Sequence, residues 1–207
     1  RFGTEGQYFE EGTGAKVCRT WQSRWRENTE SFDGNPISAR GAAHQHQVAL
    51  LKRLWKPVLR RNDPILQVHI PASGPLDPEA CRQSLRRVCG FFAKHYPEVN
   101  FKALTCVSWL MDNQFGRYLE RGANIRQFQS LFYLHPVPGA NERQTYERVF
   151  GDEHVAIDQA PQNTSLQRLV VKHVRQGGRW HHGGGVIIRA AECGSGVIKE
   201  GKKRYTI

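Results

Sequence analysis

The sequence predicts an α/β protein built on a mixed β-sheet, and three consecutive stretches of the chain support this prediction. The first is an apolar strand, residues 65–70, which follows the turn signal Asp63-Pro64. The second is a helix, because the N-cap residue Asp77 is followed by proline and by an acid in the first turn. The third is the apolar run FKALTCVSWL, residues 101–110, typical of a central strand covered on both faces. Strand, helix and strand in this order predict a parallel pair with a right-handed crossover.

The size and composition indicate a globular protein. The 207 residues are enough for one hydrophobic core, or for one domain with an appended piece. Hydrophobic residues make up 39% and charged residues 24%, which are ordinary values. No apolar run approaches the roughly 20 residues that span a bilayer, and the start does not resemble a signal peptide, so no membrane partner is expected. Because the first residue is Arg1 rather than Met, we expect an N-terminal portion to be missing.

The cysteines predict reduced, mostly structural thiols. They are five, an odd number, and they form no CxxC pair. Cys81 and Cys89 lie in the predicted helix, and Cys106 lies in the predicted central strand. This usage is typical of a reducing compartment, so the expected localisation is cytoplasmic.

The net charge of +11, with a pI of about 9.8, indicates an anionic partner. The positive residues are spread along the chain, and there is no RNA-binding aromatic signature, zinc-finger spacing or clear helix-turn-helix. Phosphate-bearing small ligands such as coenzyme A fit the charge as well as a nucleic acid does. Nucleic-acid binding through the basic surface therefore stays open as an alternative.

The first 56 residues are predicted to form a separate N-terminal part. Residues 1–20 have the pattern of a β-hairpin around a Glu-Glu-Gly-Thr-Gly turn. Residues 21–40 are polar and rich in turn formers, which predicts a loop. Residues 45–55 place Val48, Leu51 and Trp55 on one helical face, which predicts an amphipathic helix.

The second part, residues 57–190, continues after the central strand with short helices and strands. Helical turns are predicted at 112–120 and 123–131, and a strand at 132–137. Two capped helices follow, one ending at Phe150 and one that begins after Thr164, whose capping partner is Gln167. A last strand is predicted around 186–188, followed by a basic tail at 191–207.

The loop Ala72-Ser73-Gly74 is a candidate phosphate-binding site, because it lies between a strand and a helix N-terminus. Gly74 allows a ligand to approach closely, and the amides that follow point toward it. Pro75 and Pro78 each remove a donor, and Asp77 sits at the positive helix end. A plain capped turn therefore remains the alternative.

Several side chains near this loop are candidates for acid–base or nucleophilic roles. His69 lies on the strand beside the loop, as a base, an orienting donor or a structural histidine. Cys106 and Ser108 lie near the end of the neighbouring strand and reach the same crevice, although neither has a nucleophile-elbow context. The pairs His44/His46 and His181/His182 lack a supporting carboxylate or cysteine at ligand spacing, so no metal is expected.

Asn124 and Tyr133 bracket the step from the second short helix to the next strand. Asn124 either contacts a ligand or caps the turn. Tyr133 and Tyr118 are the tyrosines nearest the proposed crevice, where either one protonates a leaving thiolate or simply packs.

The chain resembles a known family over about residues 57–190. Five stretches match it in order: DPILQVHIPASGPLDPEACRQSL, FKALTCVSWLMD, NIRQFQSLFYLHPVPGANERQTYERVFG, NTSLQRLVVKHVRQGGRW and GGGVII. They are similar to the GNAT-like C-terminal domain of a bacterial family whose members are described as acyltransferase-domain proteins.

The resemblance implies a GNAT-like acyltransferase fold, in which two neighbouring parallel strands splay apart and admit the pantetheine arm of acyl-coenzyme A. The backbone of residues 65–70, including Ile70, then holds the pantetheine, and Ala72, Ser73 and Gly74 take the pyrophosphate position. The implied reaction is acyl transfer from acetyl- or another acyl-coenzyme A to an unknown acceptor amine, assisted by His69, Ser108 or Tyr133. Asn124 is an expected cofactor contact. A catalytically inactive GNAT-like domain that binds a ligand or a protein is the alternative.

Overall fold

The computed structural model describes residues 5–12, 15–72, 74 and 76–189, with only the backbone described up to residue 22. It opens with an antiparallel hairpin of β1 (Glu5–Gly12) and β2 (Ala15–Gln22). The predicted hairpin is therefore confirmed. The predicted tail at 191–207 lies outside the described residues.

A small antiparallel sheet follows, with strand order β3-β4-β5. It consists of β3 (Trp25–Glu27), β4 (Ser31–Gly34) and β5 (Val48–Leu51). The predictions of a loop at 21–40 and of a helix at 45–55 are therefore wrong. The run Val48–Leu51 pairs residue by residue with β4, so inter-strand hydrogen bonds replace the helical ones that its local pattern favours.

The main sheet has four strands in the order β6-β7-β9-β8. They are β6 (Ile65–Gln67), β7 (Ala103–Ser108), β8 (Tyr133–His135) and β9 (Gly183–Ile188). β6 and β7 run parallel, and the β7–β9 and β8–β9 pairs are antiparallel. The predicted mixed α/β sheet and the parallel pair are confirmed, with both strands shorter than predicted.

Two helices pack on one face of this sheet. α1 (Pro78–His95) connects β6 to β7, and α2 (Asn124–Gln129) precedes β8. With 18 residues α1 is the longest described helix, and no helix in the described ranges is both long and apolar enough to cross a membrane. The buried residues of this main core are Leu85, Phe101, Leu104, Cys106, Met111, Phe128, Phe132, Leu134 and Ile187.

A second core lies beside α3 (Arg143–Phe150) and α4 (Ser165–Arg175). Its buried members are Phe115, Val170 and Trp180. The predicted capping box is present at the start of α4, with the Thr164 hydroxyl accepting from the Gln167 amide at 3.1 Å. The segment predicted as helical at 112–120 forms 3-10 turns at Trp109–Met111 and Asn113–Arg117 instead.

The segment before the main sheet reaches its β8 edge. The Leu134 amide donates to the Ala39 carbonyl at 3.1 Å, and Arg40 bridges to Leu134 in parallel. Gly41 makes this approach possible, since it has φ +80 and an added Cβ would lie 2.9 Å from Cβ of Leu134. The N-terminal part therefore contacts the second part through backbone pairing.

The thiols differ from one another. Cys81 and Cys106 are free, whereas Cys89 is disulfide-bonded. The expectation of reduced thiols is therefore wrong for Cys89. Burial raises the pKa of the Cys106 thiol to about 11, so this group is a protonated core residue at neutral pH.

Candidate functional site

The parallel strands β6 and β7 separate part-way along their length. Their pairing ends with Gln67 opposite Thr105, and the last backbone bond runs from the Val68 amide to the Thr105 carbonyl at 2.7 Å. β7 continues to Ser108 beside β9. In the described part of the chain no backbone hydrogen bond joins residues 69–70 to β7. We call the opening between residues 68–70 and 106–108 the β6–β7 gap.

The side chains that border the β6–β7 gap are mostly apolar. Val68 and Ile70 pack against the main core, which leaves the backbone of this segment to face the opening. On the opposite side, Val107 is 46% exposed. His69 is exposed, between two residues that are half-buried.

The large side chains nearby do not converge on the gap as a group. Trp109 packs against Phe115 in the second core, with ring centroids 5.9 Å apart. Phe128 packs against Phe132 in the main core, with centroids 5.2 Å apart. Both rings are therefore held by contacts within the two cores.

The loop after β6 leads directly into the N-terminus of α1. Ala72 and Gly74 are exposed, Gly74 has φ +90, and no atom of the described residues lies within 4 Å of a Cβ built there. Ser73, the third predicted loop residue, lies outside the described residues. The helix end carries its own acceptor, since Oδ1 of Asp77 takes the Ala80 amide at 2.6 Å.

One arginine joins the two helices at this end. Nη2 of Arg82, on α1, donates to Oε1 of Gln127, on α2, at 3.0 Å. Its other nitrogen, Nη1, lies 3.4 Å from the Glu79 carboxylate, in an exposed ion pair. The guanidinium supplies positive charge next to the loop 71–77.

The predicted catalytic residues Ser108 and Tyr133 lie on opposite faces of the sheet. Ser108 shares the face of the buried residues Leu104 and Cys106, because side chains alternate along a strand. Tyr133 is paired through Val186 with Thr105, which belongs to the other face. The Ser108 hydroxyl already accepts from the Leu110 amide at 3.2 Å.

Asn124 is the first residue of α2, and its side chain is exposed. The N-cap is Ala123, with no side-chain cap. Among the described residues no hydrogen bond uses the Asn124 side chain, so its amide is available to a ligand. Arg82 contacts the same helix, because it donates to Gln127.

A buried carboxyl group that was not predicted lies just past the end of β7. Asp112 is 0% exposed, and its oxygens accept from the Gln114 amide at 2.9 Å, from Nε2 of Gln114 at 3.1 Å and from the His181 amide at 3.0 Å. Nε2 of His181 lies 3.5 Å from Oδ1 of Asp112. Burial raises the pKa of Asp112, and His181 beside it lowers the same pKa. In the sequence, Asp112 is visible only as the acid at the end of the motif FKALTCVSWLMD. Its partner, His181, is far away in the chain.

The other histidine pair of the sequence precedes β5. The rings of His44 and His46 lie 5.4 Å apart. Within the described residues no group of three or more histidine, cysteine or acidic side chains is arranged to hold a metal ion.

Comparison with known families identifies a domain family that this chain matches. The model described as a GNAT-like C-terminal domain matches residues 22–187. The match therefore begins well before residue 57 and takes in the small antiparallel sheet. No curated protein matches the chain significantly.

Solved acyltransferases resemble this chain in structure. One, in complex with decanoyl-CoA, is 32% identical with a TM-score of 0.57, covering 70% of this chain and 44% of that one. A mutant acyltransferase in complex with octanoyl-CoA is 30% identical with a TM-score of 0.54, covering 60% and 40%. A third, in complex with decanoyl-CoA and teicoplanin, is 31% identical with a TM-score of 0.53, covering 59% and 40%. The chain thus spans less than half the length of the solved proteins it matches.

Proposed function

Because this chain belongs to the family of GNAT-like C-terminal domains, we propose that it binds acyl-coenzyme A in the β6–β7 gap and transfers the acyl group to an acceptor amine. The observation that carries this proposal is the separation of the parallel strands after Val68. The similar solved structures hold octanoyl- or decanoyl-CoA, which supports a donor of medium chain length over acetyl-coenzyme A.

The pantetheine arm is an extended chain with two amides, and it needs a backbone partner. Residues 69–70 offer one, because their amide and carbonyl groups have no backbone partner on β7 in the described ranges. The Ile70 side chain packs into the core and fixes this segment from behind. A pantetheine arm that hydrogen-bonds to the backbone of Ile70 occupies the position that a neighbouring strand would otherwise have.

The proposed contacts to the phosphates of coenzyme A lie in the loop that follows residues 69–70. Gly74, at φ +90, has a backbone conformation that lets a ligand approach closely, and Ala72 is exposed beside it. Asp77 already occupies the helix end as its cap, so Arg82 is the main positive charge for the phosphates here. Ser73 and Asn124 complete the proposed polar contacts to the cofactor.

The chemical step joins the acceptor nitrogen to the thioester carbon and releases the thiolate of coenzyme A. His69, which is exposed beside the gap, is the proposed orienting donor for the acceptor. Ser108, at the end of β7, accepts from the Leu110 amide, and we propose that its O–H group donates to the thioester oxygen. Tyr133 lies on β8 and on the opposite face, with β9 between it and β7, so we assign it no contact with the thiolate.

Calorimetric titration with octanoyl-, decanoyl- and acetyl-coenzyme A tests this proposal. We expect the two longer donors to bind and Val107→Trp to abolish binding, because the indole would narrow the gap beside an exposed strand residue. Val58→Trp is the matched control, since Val58 is another exposed valine, at 58%, outside the main sheet. Absence of binding to the folded wild-type chain, or equal loss in both variants, contradicts the proposal.

A further inference from the structure

We propose that His181, oriented by the buried carboxyl group of Asp112, takes the proton that the acceptor amine loses during acyl transfer. This inference rests on the proposed function and names the general base of the proposed acyl transfer. Asp112 is the positioning residue of this pair, and His181 is the residue that faces the acceptor.

Asp112 is held rigidly. Its side chain is fully buried, and both oxygens accept hydrogen bonds, one from the Gln114 amide at 2.9 Å and one from the His181 amide at 3.0 Å. The Gln129 side chain fixes the backbone of the same residue, since its Nε2 donates to the Asp112 carbonyl at 2.8 Å. A carboxyl group fixed at this many points defines where the imidazole beside it lies.

The two ring nitrogens of His181 have different surroundings. Nε2 lies 3.5 Å from Oδ1 of Asp112, a distance that shortens in many active sites when the substrate is bound. Both oxygens of Asp112 accept from backbone amides, so Nε2, which faces Oδ1, carries the ring proton and Nδ1 keeps a lone pair that takes another. The side chain is 34% exposed, whereas Asp112 beside it is fully buried. The carboxylate then stabilises the imidazolium that forms.

The pair lies at the end of the sheet where β6 leaves β7. Gly183, two residues after His181, is paired with Ser108, the last residue of β7. Neighbouring strands are about 4.8 Å apart, so the start of β9 is within about 10 Å of the β6–β7 gap. An acceptor amine attacking a thioester in the gap at the level of Ser108 is therefore at the same end of the sheet as His181.

The other charged groups around the pair are few. His173 is buried, and its pKa is lowered by burial and raised by the Arg179 carbonyl and by Asp112. Arg117 acts on the same histidine and lowers its pKa. Arg179 pairs with Glu142 at 3.7 Å. His173 is enclosed and bonded to Tyr118 at 2.7 Å, so among the histidines of this cluster His181 is the accessible one next to Asp112.

The proton balance of the step is complete. The amine nitrogen attacks the thioester carbon, the new carbon–nitrogen bond forms, and the carbon–sulfur bond breaks. The proton from the amine passes to Nδ1 of His181, and the imidazolium then releases it, through solvent, to the thiolate of coenzyme A, which leaves as the thiol. The net reaction converts a primary amine and an acyl-coenzyme A into an amide and coenzyme A, with no further reactant.

The test uses the whole chain, with octanoyl-coenzyme A as donor and an amino sugar, a polyamine and an amino-acid amide as acceptors. Release of the thiol gives kcat, and calorimetry gives donor affinity. We expect His181→Gln to lower kcat by at least about 100-fold with little change in donor affinity. His182→Gln, a substitution of the adjacent histidine, should leave both quantities unchanged.

A measurement that does not depend on catalysis reports directly on the Asp112–His181 pair. Long-range ¹H–¹⁵N spectra of the histidine rings should show His181 as the Nε2–H tautomer, and Asp112→Asn should remove this preference. If His181→Gln binds the donor and keeps wild-type kcat, the inference is wrong and the proposed function stands. If the wild-type chain binds the donor but acylates none of the amines, the base assignment also fails. If it binds no donor, the proposed function fails first, and the ring spectra still report whether Asp112 orients His181.

Discussion

The hydroxyl of Tyr118 lies 2.7 Å from Nδ1 of His173, deep in the second core. Nε2 of the same ring lies 3.3 Å from the Arg179 carbonyl. Because a carbonyl only accepts, Nε2 is the protonated nitrogen and Nδ1 accepts from the tyrosine. The fold thus holds a neutral histidine in one tautomer, at 2% exposure, between α4 and the segment that leads into β9.

Removing the tyrosine hydroxyl should therefore destabilise the protein. We expect Tyr118→Phe to lower the free energy of unfolding by about 1–3 kcal/mol, since it leaves a buried ring nitrogen without a donor. Tyr96→Phe is the control, because Tyr96 is 46% exposed and its change should stay within about 0.5 kcal/mol. Urea unfolding followed by tryptophan fluorescence measures both, and equal effects would refute the assignment.

Burial of His173 also predicts a dependence of stability on pH. Desolvation lowers its pKa from the ordinary 6.5, so the unfolded chain binds a proton more readily than the folded one. The stabilising contribution is complete above pH 6.5 and is lost as the pH falls from there toward the lower folded pKa. His135, whose pKa is also lowered by burial, adds to the same trend, whereas Asp112, whose pKa burial raises, opposes it at lower pH.

The measurement is the slope of unfolding free energy between pH 5.5 and 7.5, about one unit on either side of the ordinary histidine pKa. His173→Gln should flatten this slope. His154→Gln, a substitution at a side chain that is 68% exposed, should not change it. An unchanged slope in His173→Gln would show that this ring does not titrate differently on unfolding.

The glycine run at the start of β9 is required by close contacts. A Cβ at Gly184 would lie 2.2 Å from Cε1 of His135, so Gly184→Ala should destabilise by about 1–3 kcal/mol. Gly90 lies inside α1, with no atom of the described residues within 4 Å of an added Cβ. Gly90→Ala should therefore stabilise by about 0.5–1 kcal/mol. Thermal unfolding of the two variants should shift the midpoint in opposite directions, and shifts of the same sign contradict the packing described here.

Cys106 should be inert in the folded protein. Its side chain is 1% exposed, and burial raises its pKa to about 11. Iodoacetamide at pH 8 should label Cys106 only after unfolding, as seen by mass spectrometry of its peptide, whereas the half-buried Cys81 reacts earlier. Fast labelling of Cys106 in native protein would revive a nucleophilic role for this thiol.

Sequence patterns predicted the elements that are stabilised by contacts between residues close together in the chain. The helix start at Asp77 and the capping box at Thr164 were found from their residue types, and both side chains make the expected bonds. The helix predicted at 45–55 failed because the partner that turns Val48–Leu51 into a strand is the short, polar β4, which carries little strand signal of its own.

The pairing of Asp112 with His181 was beyond any local signal. The two residues are joined only because β9 enters the sheet beside β7, at a sequence separation of 69 residues. The register of Tyr133, which places it on the face opposite Ser108, likewise depends on β9 lying between β7 and β8. Sequence patterns located the strands of the main sheet and the parallel β6–β7 pair, but not the place of β9 between β7 and β8.

That order has a consequence for how the chain is assembled during synthesis. β9 emerges from the ribosome after every other strand of the main sheet, yet it occupies an interior place between β7 and β8. Until residue 188 is available, both neighbours keep an unpaired edge and the core lacks the buried Ile187. Completion of the sheet is therefore a late, long-range event, and a nascent chain that stalls before β9 presents two open strands to other molecules.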